Sequence, residues 1–124
     1  APVDRPAVER AFELMTSCEL APLQRLIDYL VARRDVHIIG PAHADRNRVG
    51  TVSFVHSSRR SREIVDAVDD SGIAVRNGHM YAYRLCRGLD LDPEDGVVRV
   101  SLVHYNTPGE IDRLIDVLEQ TLPG

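Results

Sequence analysis

The spacing of apolar residues switches between the helical and the strand period along this chain, and this alternation restricts the folds open to it. Stripes that repeat every three and four residues occupy residues 8–31 and 111–122. Between them lie short β-rich runs closed by turn residues. The order is helix, strand, strand, helix, strand, strand, helix. We therefore predict a two-layer α+β domain with helices on one face of a small, mostly antiparallel sheet.

The first stripe predicts a long amino-terminal helix. Pro6 suits its first turn, with Asp4 near the N-cap position. Pro22 interrupts the pattern, so it either kinks one long helix or begins a second helix after a short break. Cys18 lies on the apolar stripe and is expected in the core. The stripe consists of Val8, Ala11, Phe12, Met15, Cys18, Leu23, Leu26, Ile27, Leu30 and Val31.

Turn and cap signals divide the middle of the chain. Strands are predicted at residues 36–39, 51–56, 73–76 and 97–102, and helical turns at 64–68 and 81–88. Gly72 suits the C′ position of the first of these short helices, because glycine tolerates the left-handed conformation. Ser58 or Ser61 is expected to cap the start of the same helix.

The strongest boundary signal is Thr107-Pro108-Gly109-Glu110, a capping box with proline at the first helical position. It predicts that the last helix begins directly after Thr107. The apolar stripe that follows consists of Ile111, Leu114, Ile115, Leu118 and Leu122.

The strand at 97–102 carries an arginine among valines. Alternation places Val98, Val100 and Leu102 on one face and Val97, Arg99 and Ser101 on the other. An arginine at mid-strand pairs with an acid, extends to solvent or binds an anion. A guanidinium holds a carboxylate through two parallel, charge-assisted hydrogen bonds. Spacing alone leaves open the alternative of a structural Arg99 satisfied by an acid or by backbone carbonyls.

A turn signal at 77–78 follows the third predicted strand, because asparagine and glycine both tolerate positive φ. We expect this turn to project Arg76 and His79 from the strand end. His79, His104 and Cys86 lack the spacing of zinc ligands, so no metal site is predicted. Cys86 is expected to be packed rather than nucleophilic.

Composition argues against several classes of function. A chain of 124 residues fits one domain, so residues 1–124 are expected to form a single unit with one core. The net charge of −4 and the low aromatic content argue against nucleic-acid binding, despite the basic cluster at 59–62. No apolar run is long enough to span a membrane. Two cysteines do not make a disulfide framework, which favours a reducing, cytoplasmic location.

Lysine and arginine together number 15 in this chain, and all 15 are arginine, so the chain contains no lysine. Arginine stays protonated at working pH and cannot act as an amine nucleophile. Imine chemistry on a lysine amine is therefore excluded within these residues.

Two separated motifs resemble those of a known family. The run at 72–82, GIAVRNGHMYA, resembles the GIxxRxGHxCA loop of cysteine desulfurases. The run at 98–112, VRVSLVHYNTPGEID, resembles their RxSlxxYNTxeEID signature. The order is that of the family, and with residues 11–54 the likeness covers nearly the whole chain. The chain thus resembles the carboxyl-terminal small domain of class-V aminotransferases and cysteine desulfurases, which are pyridoxal-phosphate enzymes of fold type I.

The resemblance implies roles for individual residues. In such enzymes the arginine before the YNT corner binds the substrate's α-carboxylate, and this role falls on Arg99. Arg76 corresponds to an arginine near substrate and cofactor, and His79 lines the same loop. No residue of this chain is implied as catalytic. The residues that would brace the strand-to-helix corner are Tyr105, Asn106 and Thr107.

Two departures from the family bear on activity. Tyr81 stands where desulfurases carry the cysteine nucleophile, and a phenol with a pKa near 10 does not replace a thiolate as sulfur acceptor. The resemblance is therefore nearer to the branch whose loop reads GHxYA. The family's large domain, which carries the cofactor-binding lysine, is absent from these residues. The chain is thus expected to contact pyridoxal phosphate only in the complete enzyme, without a covalent bond, and to be inactive alone.

The leading interpretation is the carboxyl-terminal, substrate-carboxylate-binding part of a pyridoxal-phosphate-dependent enzyme that acts on an amino acid. Its expected partners are the family large domain, an amino-acid substrate and a second copy in a homodimer, with no nucleic acid and no membrane. The alternative is a stand-alone, non-catalytic truncated domain that acts as a binding or interaction module. In that case the apolar stripe of the first helix would favour self-association.

Overall fold

The helices and strands follow the predicted order, including a short helix between the third and fourth strands. The structure is a computed structural model and describes residues 2–122. The helices are α1 Arg5–Ala32, α2 Ser61–Asp70, α3 Tyr83–Gly88 and α4 Pro108–Thr121. The strands are β1 Val36–Ile38, β2 Thr51–His56, β3 Arg76–Gly78 and β4 Val97–Ser101.

The strands form one open sheet in the order β1-β2-β4-β3, and all neighbouring pairs are antiparallel. The helices α1, α2 and α4 pack on one face of this sheet and share a single core with it. The buried residues of β2 alternate, as in a sheet with one face on the core. The strand residues of the core are Val52, Phe54, Val98 and Val100. The α+β prediction is confirmed.

The last helix begins where its capping box predicts. The Thr107 side chain accepts a hydrogen bond from the Glu110 backbone N–H, and Glu110 accepts one from the Thr107 N–H at 2.7 Å. These bonds satisfy donors that a helix start otherwise leaves open. The buried side of α4 consists of Ile111, Leu114 and Leu118.

The first helix is continuous, with Pro22 inside it and buried. Only its second half joins the core, through Leu23, Leu26, Ile27 and Leu30. The first half is largely exposed, and Phe12 keeps 62% of its surface accessible. The prediction that Cys18 lies in the core is wrong, because the core reaches α1 only from Pro22 onward and Cys18 is exposed.

The third strand lies further along the chain than predicted. It pairs with β4 from Arg76 to Gly78, so the expected turn at 77–78 belongs to the strand. Ile73 and Val75, which were expected in the strand, instead pack against the hydrophobic core. Residues 73–75 are therefore packed against the core without pairing with β4.

The cap of α2 also differs from the prediction. No serine side chain caps this helix. The Asp95 carboxylate accepts the backbone N–H groups of Ser61 and Arg62, at 2.7 and 3.2 Å. The helix ends as expected, with Gly72 at a φ of 78°. Asp95 comes from the loop before β4, so local sequence does not reveal this cap.

Candidate functional site

The face of the sheet turned away from α1, α2 and α4 carries two residues of the predicted site, Arg76 and Arg99. Ser53, Arg99 and Arg76 are direct cross-strand neighbours, so they form one row across β2, β4 and β3. Residues directly opposite in antiparallel strands point to the same face and have Cβ atoms about 4.5–5.5 Å apart. Arg76 and Arg99 therefore start from adjacent positions on the same open face.

Arg99 is half-buried, and its Nε is a buried donor with no hydrogen-bond partner in residues 2–122. Within the same residues neither Arg99 nor Arg76 forms an ion pair. The four strands contain no acidic residue. A buried donor without a partner costs about 1–3 kcal/mol of stability. Chemically, this row offers an unsatisfied N–H and two positive charges to an anion.

The loop after β3 presents the other predicted residues. The His79 Nδ1 accepts the backbone N–H of Tyr81 at 3.1 Å, and its ring meets that of Tyr83 edge-on. This bond assigns the proton of the neutral imidazole to Nε2. Met80 and Tyr81 have φ values of 49° and 63°, and the Tyr81 side chain is fully exposed. Tyr81, at the position that the resemblance assigns to the nucleophile of desulfurases, thus extends its phenol into solvent.

A contact between two glycines fixes this loop to the start of β4. Gly96 has a φ of 64°, and a Cβ atom placed on it would lie 1.9 Å from the backbone carbon of Gly78. The Asn77 side chain also donates to the Asp95 carbonyl at 3.3 Å. The residues that lead into β4 therefore lie against the loop that holds His79. The sequence motifs did not identify Gly96 as part of this arrangement.

The strand-to-helix corner after β4 is organised by side-chain hydrogen bonds. The Asn106 Oδ1 accepts the backbone N–H of Val103 at 2.9 Å, and its amide donates to Glu110. The Thr107 N–H and the Asn106 amide together lower the pKa of Glu110. Tyr105 is 73% exposed, with its ring edge-on to that of His104. Asn106 and Thr107 thus build the corner, while the Tyr105 ring lies outside it.

A second polar cluster, which the sequence did not reveal, lies at the far edge of the sheet. The buried His56 side chain places Nε2 2.9 Å from a carboxylate oxygen of Asp35. Arg33 donates to both oxygens of that carboxylate, at 2.7 and 3.1 Å. These Arg33 hydrogen bonds, with a smaller contribution from His56, lower the pKa of Asp35 to about 2.

This cluster fastens the ends of β1 and β2. The His56 Nδ1 accepts the backbone N–H groups of Ser58 and Arg59, at 3.2 and 3.1 Å. The Ser58 hydroxyl lies 3.5 Å from the same nitrogen, so a serine, a histidine and an aspartate stand in series. Because two backbone donors already use the Nδ1 lone pair, that nitrogen does not take a proton from the serine. The arrangement is structural.

No group of three or more His, Cys, Asp or Glu side chains in residues 2–122 is placed to hold a metal ion. None of the helices in that range is long and apolar enough to cross a membrane. Cys86 is buried, as predicted, whereas Cys18 is exposed.

Solved structures share this fold. A cysteine desulfurase from Thermococcus onnurineus, solved in its apo form, matches with a TM-score of 0.76 and 27% identity, covering 93% of this chain and 28% of that one. A cysteine desulfurase from Escherichia coli matches with a TM-score of 0.71 and 21% identity, covering 85% of this chain and 24% of that one. The second likeness shows the fold alone.

Sequence relatives extend the likeness. An aminotransferase-like protein of Gibberella zeae is 43% identical over 100 residues, 79% of this chain and 25% of that protein. A probable cysteine desulfurase of Streptomyces coelicolor is 36% identical over 104 residues, 81% of this chain and 24% of that protein. The chain thus spans about a quarter of the length of these relatives. Residues 9–114 match the aminotransferase class-V family, and the chain therefore belongs to that family.

Proposed function

We propose that this chain is the carboxyl-terminal, substrate-carboxylate-binding part of a pyridoxal-phosphate-dependent class-V enzyme that acts on an amino acid. The proposal rests on Arg99, whose buried Nε has no hydrogen-bond partner in residues 2–122. A substrate carboxylate would satisfy that donor and bind the guanidinium through two parallel hydrogen bonds. Arg76 and His79 would border the same substrate from β3 and its following loop.

The cofactor would be held by the family large domain, because this chain has no lysine. The donors on the open face suit an anion, not a covalent bond to the cofactor. When bound, pyridoxal phosphate supplies an electron sink for the α-carbon of the amino acid. The part of this chain is to orient the substrate by its carboxylate, which lowers the entropic cost of reaching the reactive geometry.

We further propose that the reaction is not a cysteine desulfuration. Tyr81 occupies the position of the sulfur acceptor, and its exposed phenol is a poor nucleophile near neutral pH. The relative with 43% identity is described as aminotransferase-like, which agrees with a different reaction branch. Transamination or another reaction at the α-carbon remains available to a carboxylate-orienting site.

The exposed half of α1 is the proposed contact with the large domain, because its apolar residues lack a cover within residues 2–122. Val8 and Phe12, which are four residues apart and lie on the same side of the helix, are both exposed there. Without that domain the purified chain should self-associate through this surface. Gel filtration over a concentration series should show a dimer or larger species, and Phe12→Ser should shift it toward monomer.

Val31→Ser is the matched control, since Val31 is exposed at the other end of the same helix. It should leave the elution volume unchanged. A monomer at every concentration would instead argue against an uncovered packing surface on α1. Self-association equally sensitive to both variants would contradict the assignment of this surface.

Titration of the isotope-labelled chain with butyrate tests the carboxylate site. The largest amide shifts in NMR spectra are expected at Ser53, Arg76 and Arg99, together with the Arg99 Nε–H signal. The Arg34→Gln variant, which removes an exposed arginine near β1, should bind butyrate like the wild type. Shifts that cluster around Arg34 and Asp35, or that are absent from Arg99, would overturn the proposed function.

A further inference from the structure

We propose that the Ser53 hydroxyl is a second binding group for the substrate's carboxylate and shares that carboxylate with Arg99. This inference rests on the proposed function, which assigns the carboxylate to Arg99. It adds a neutral hydrogen-bond donor from β2 to a site otherwise formed by β3, its following loop and β4.

The register of β2 and β4 brings the two side chains together. Ser53 lies directly opposite Arg99 in this antiparallel pair. Val52 and Phe54 on either side of it are buried in the core, so the half-buried Ser53 side chain points to the open face. Opposed Cβ atoms on one face are about 4.5–5.5 Å apart. Both side chains therefore reach the same small ligand.

Neither group is used within the part of the chain that the structure describes. The Ser53 side chain makes no hydrogen bond in residues 2–122, and the Arg99 Nε has no partner there. A serine that served only the sheet would accept the Nε–H, because a hydroxyl oxygen has two lone pairs. The next opposed pair on this face does bond, since the Thr51 hydroxyl donates to the Ser101 oxygen at 3.3 Å. The contrast between the two pairs points to a ligand at Ser53 and Arg99.

A hydroxyl and a guanidinium suit different lone pairs of one carboxylate. An ionised carboxylate accepts at about four positions, and a guanidinium bound by two parallel hydrogen bonds uses two of them. A hydroxyl beside the guanidinium donates to a third position. Hydrogen bonds to a charged partner contribute more than those between neutral groups. The serine thus strengthens binding without adding a charge to the face.

The backbone holds this hydroxyl in place before any ligand arrives. The strand β2 lies between β1 and β4, and the Ser53 carbonyl accepts the Ile39 N–H at 2.8 Å. A donor on a strand that is paired on both sides needs little reorganisation to meet its ligand.

The experiment replaces Ser53 by threonine and by valine, which have the same shape and differ in the hydroxyl. Ser53→Thr should bind butyrate within about twofold of the wild type, and Ser53→Val about tenfold more weakly, in NMR titrations. Both variants should be at least as stable as the wild type in urea, because β-branched residues favour strands. Ser101→Ala removes a hydroxyl from the neighbouring pair and should bind butyrate like the wild type.

The outcomes separate this inference from the proposed function. Equal butyrate affinity of Ser53→Thr and Ser53→Val, with the Arg99 signals still shifting, would overturn the role of the hydroxyl and leave the carboxylate site standing. A loss in Ser101→Ala as large as that in Ser53→Val would overturn the assignment to Ser53. If butyrate does not shift the Arg99 signals of the wild type, the proposed function itself fails.

Discussion

Replacing Gly96 by alanine is expected to lower the free energy of unfolding by about 3 kcal/mol. The added Cβ would lie 1.9 Å from the Gly78 carbon and 2.5 Å from the His79 nitrogen, both backbone atoms that cannot rotate away. Moving the backbone at position 96 away from that of residues 78–79 costs about 1–3 kcal/mol, as overpacking does in other proteins. The φ of 64° adds about 1–2 kcal/mol for a residue with a Cβ. Urea denaturation of the two proteins measures the difference.

Two other glycines separate the contributions. Gly88 ends α3 with no atom near an added Cβ, so Gly88→Ala should be neutral or slightly stabilising. Gly72 has a φ of 78°, and the only atom near an added Cβ is the end of the Arg113 side chain at 3.8 Å, so Gly72→Ala should show the cost of the backbone conformation alone. If Gly96→Ala costs no more than Gly72→Ala, the contact with Gly78 does not constrain the loop. NMR signals of His79 should move in the Gly96 variant and stay in place in the two controls.

The elements that the sequence predicts best are those whose signals are local. The start of α4 follows from Thr107 and Glu110, which meet across one helical turn. The β2 prediction matches because Thr51–His56 alternates throughout. The third strand is misplaced because Ile73 and Val75 have strand-like side chains, yet they pack against the core without pairing with β4. That choice depends on where α2 and α4 pack, which local spacing does not encode.

The candidate site shows the same contrast between features that local sequence reveals and features that depend on long-range contacts. Arg99 stands out because an arginine among alternating valines is unusual in any sheet, and its neighbour Arg76 stands at a strand end. That the two are directly opposite is a matter of register, which the sequence does not give. Asp95 and Gly96 act on partners up to 35 residues away, so their roles appear only in the folded chain.

Replacing Arg99 by methionine is expected to stabilise the unliganded chain and to abolish carboxylate binding. Methionine keeps an unbranched side chain but removes the buried Nε donor, which has no hydrogen-bond partner within the described residues 2–122. Removing this unpaired N–H group should raise the free energy of unfolding by about 1 kcal/mol. Butyrate should no longer shift the amides of β4. Urea denaturation and the butyrate titration, made on the same sample, measure both effects.

The sign of the stability change on replacement by methionine distinguishes a ligand-binding arginine from a structural one. Arg48 is the matched control, because it donates to the backbone carbonyls of Pro41, His43 and Thr51. Arg48→Met should destabilise the chain, since those carbonyls lose their donor, and should leave butyrate binding intact. Arg99→Lys keeps the charge without the planar fork and should weaken butyrate binding by about tenfold. If Arg99→Met destabilised the chain as Arg48→Met does, Arg99 would be a structural residue and the substrate would require another anchor.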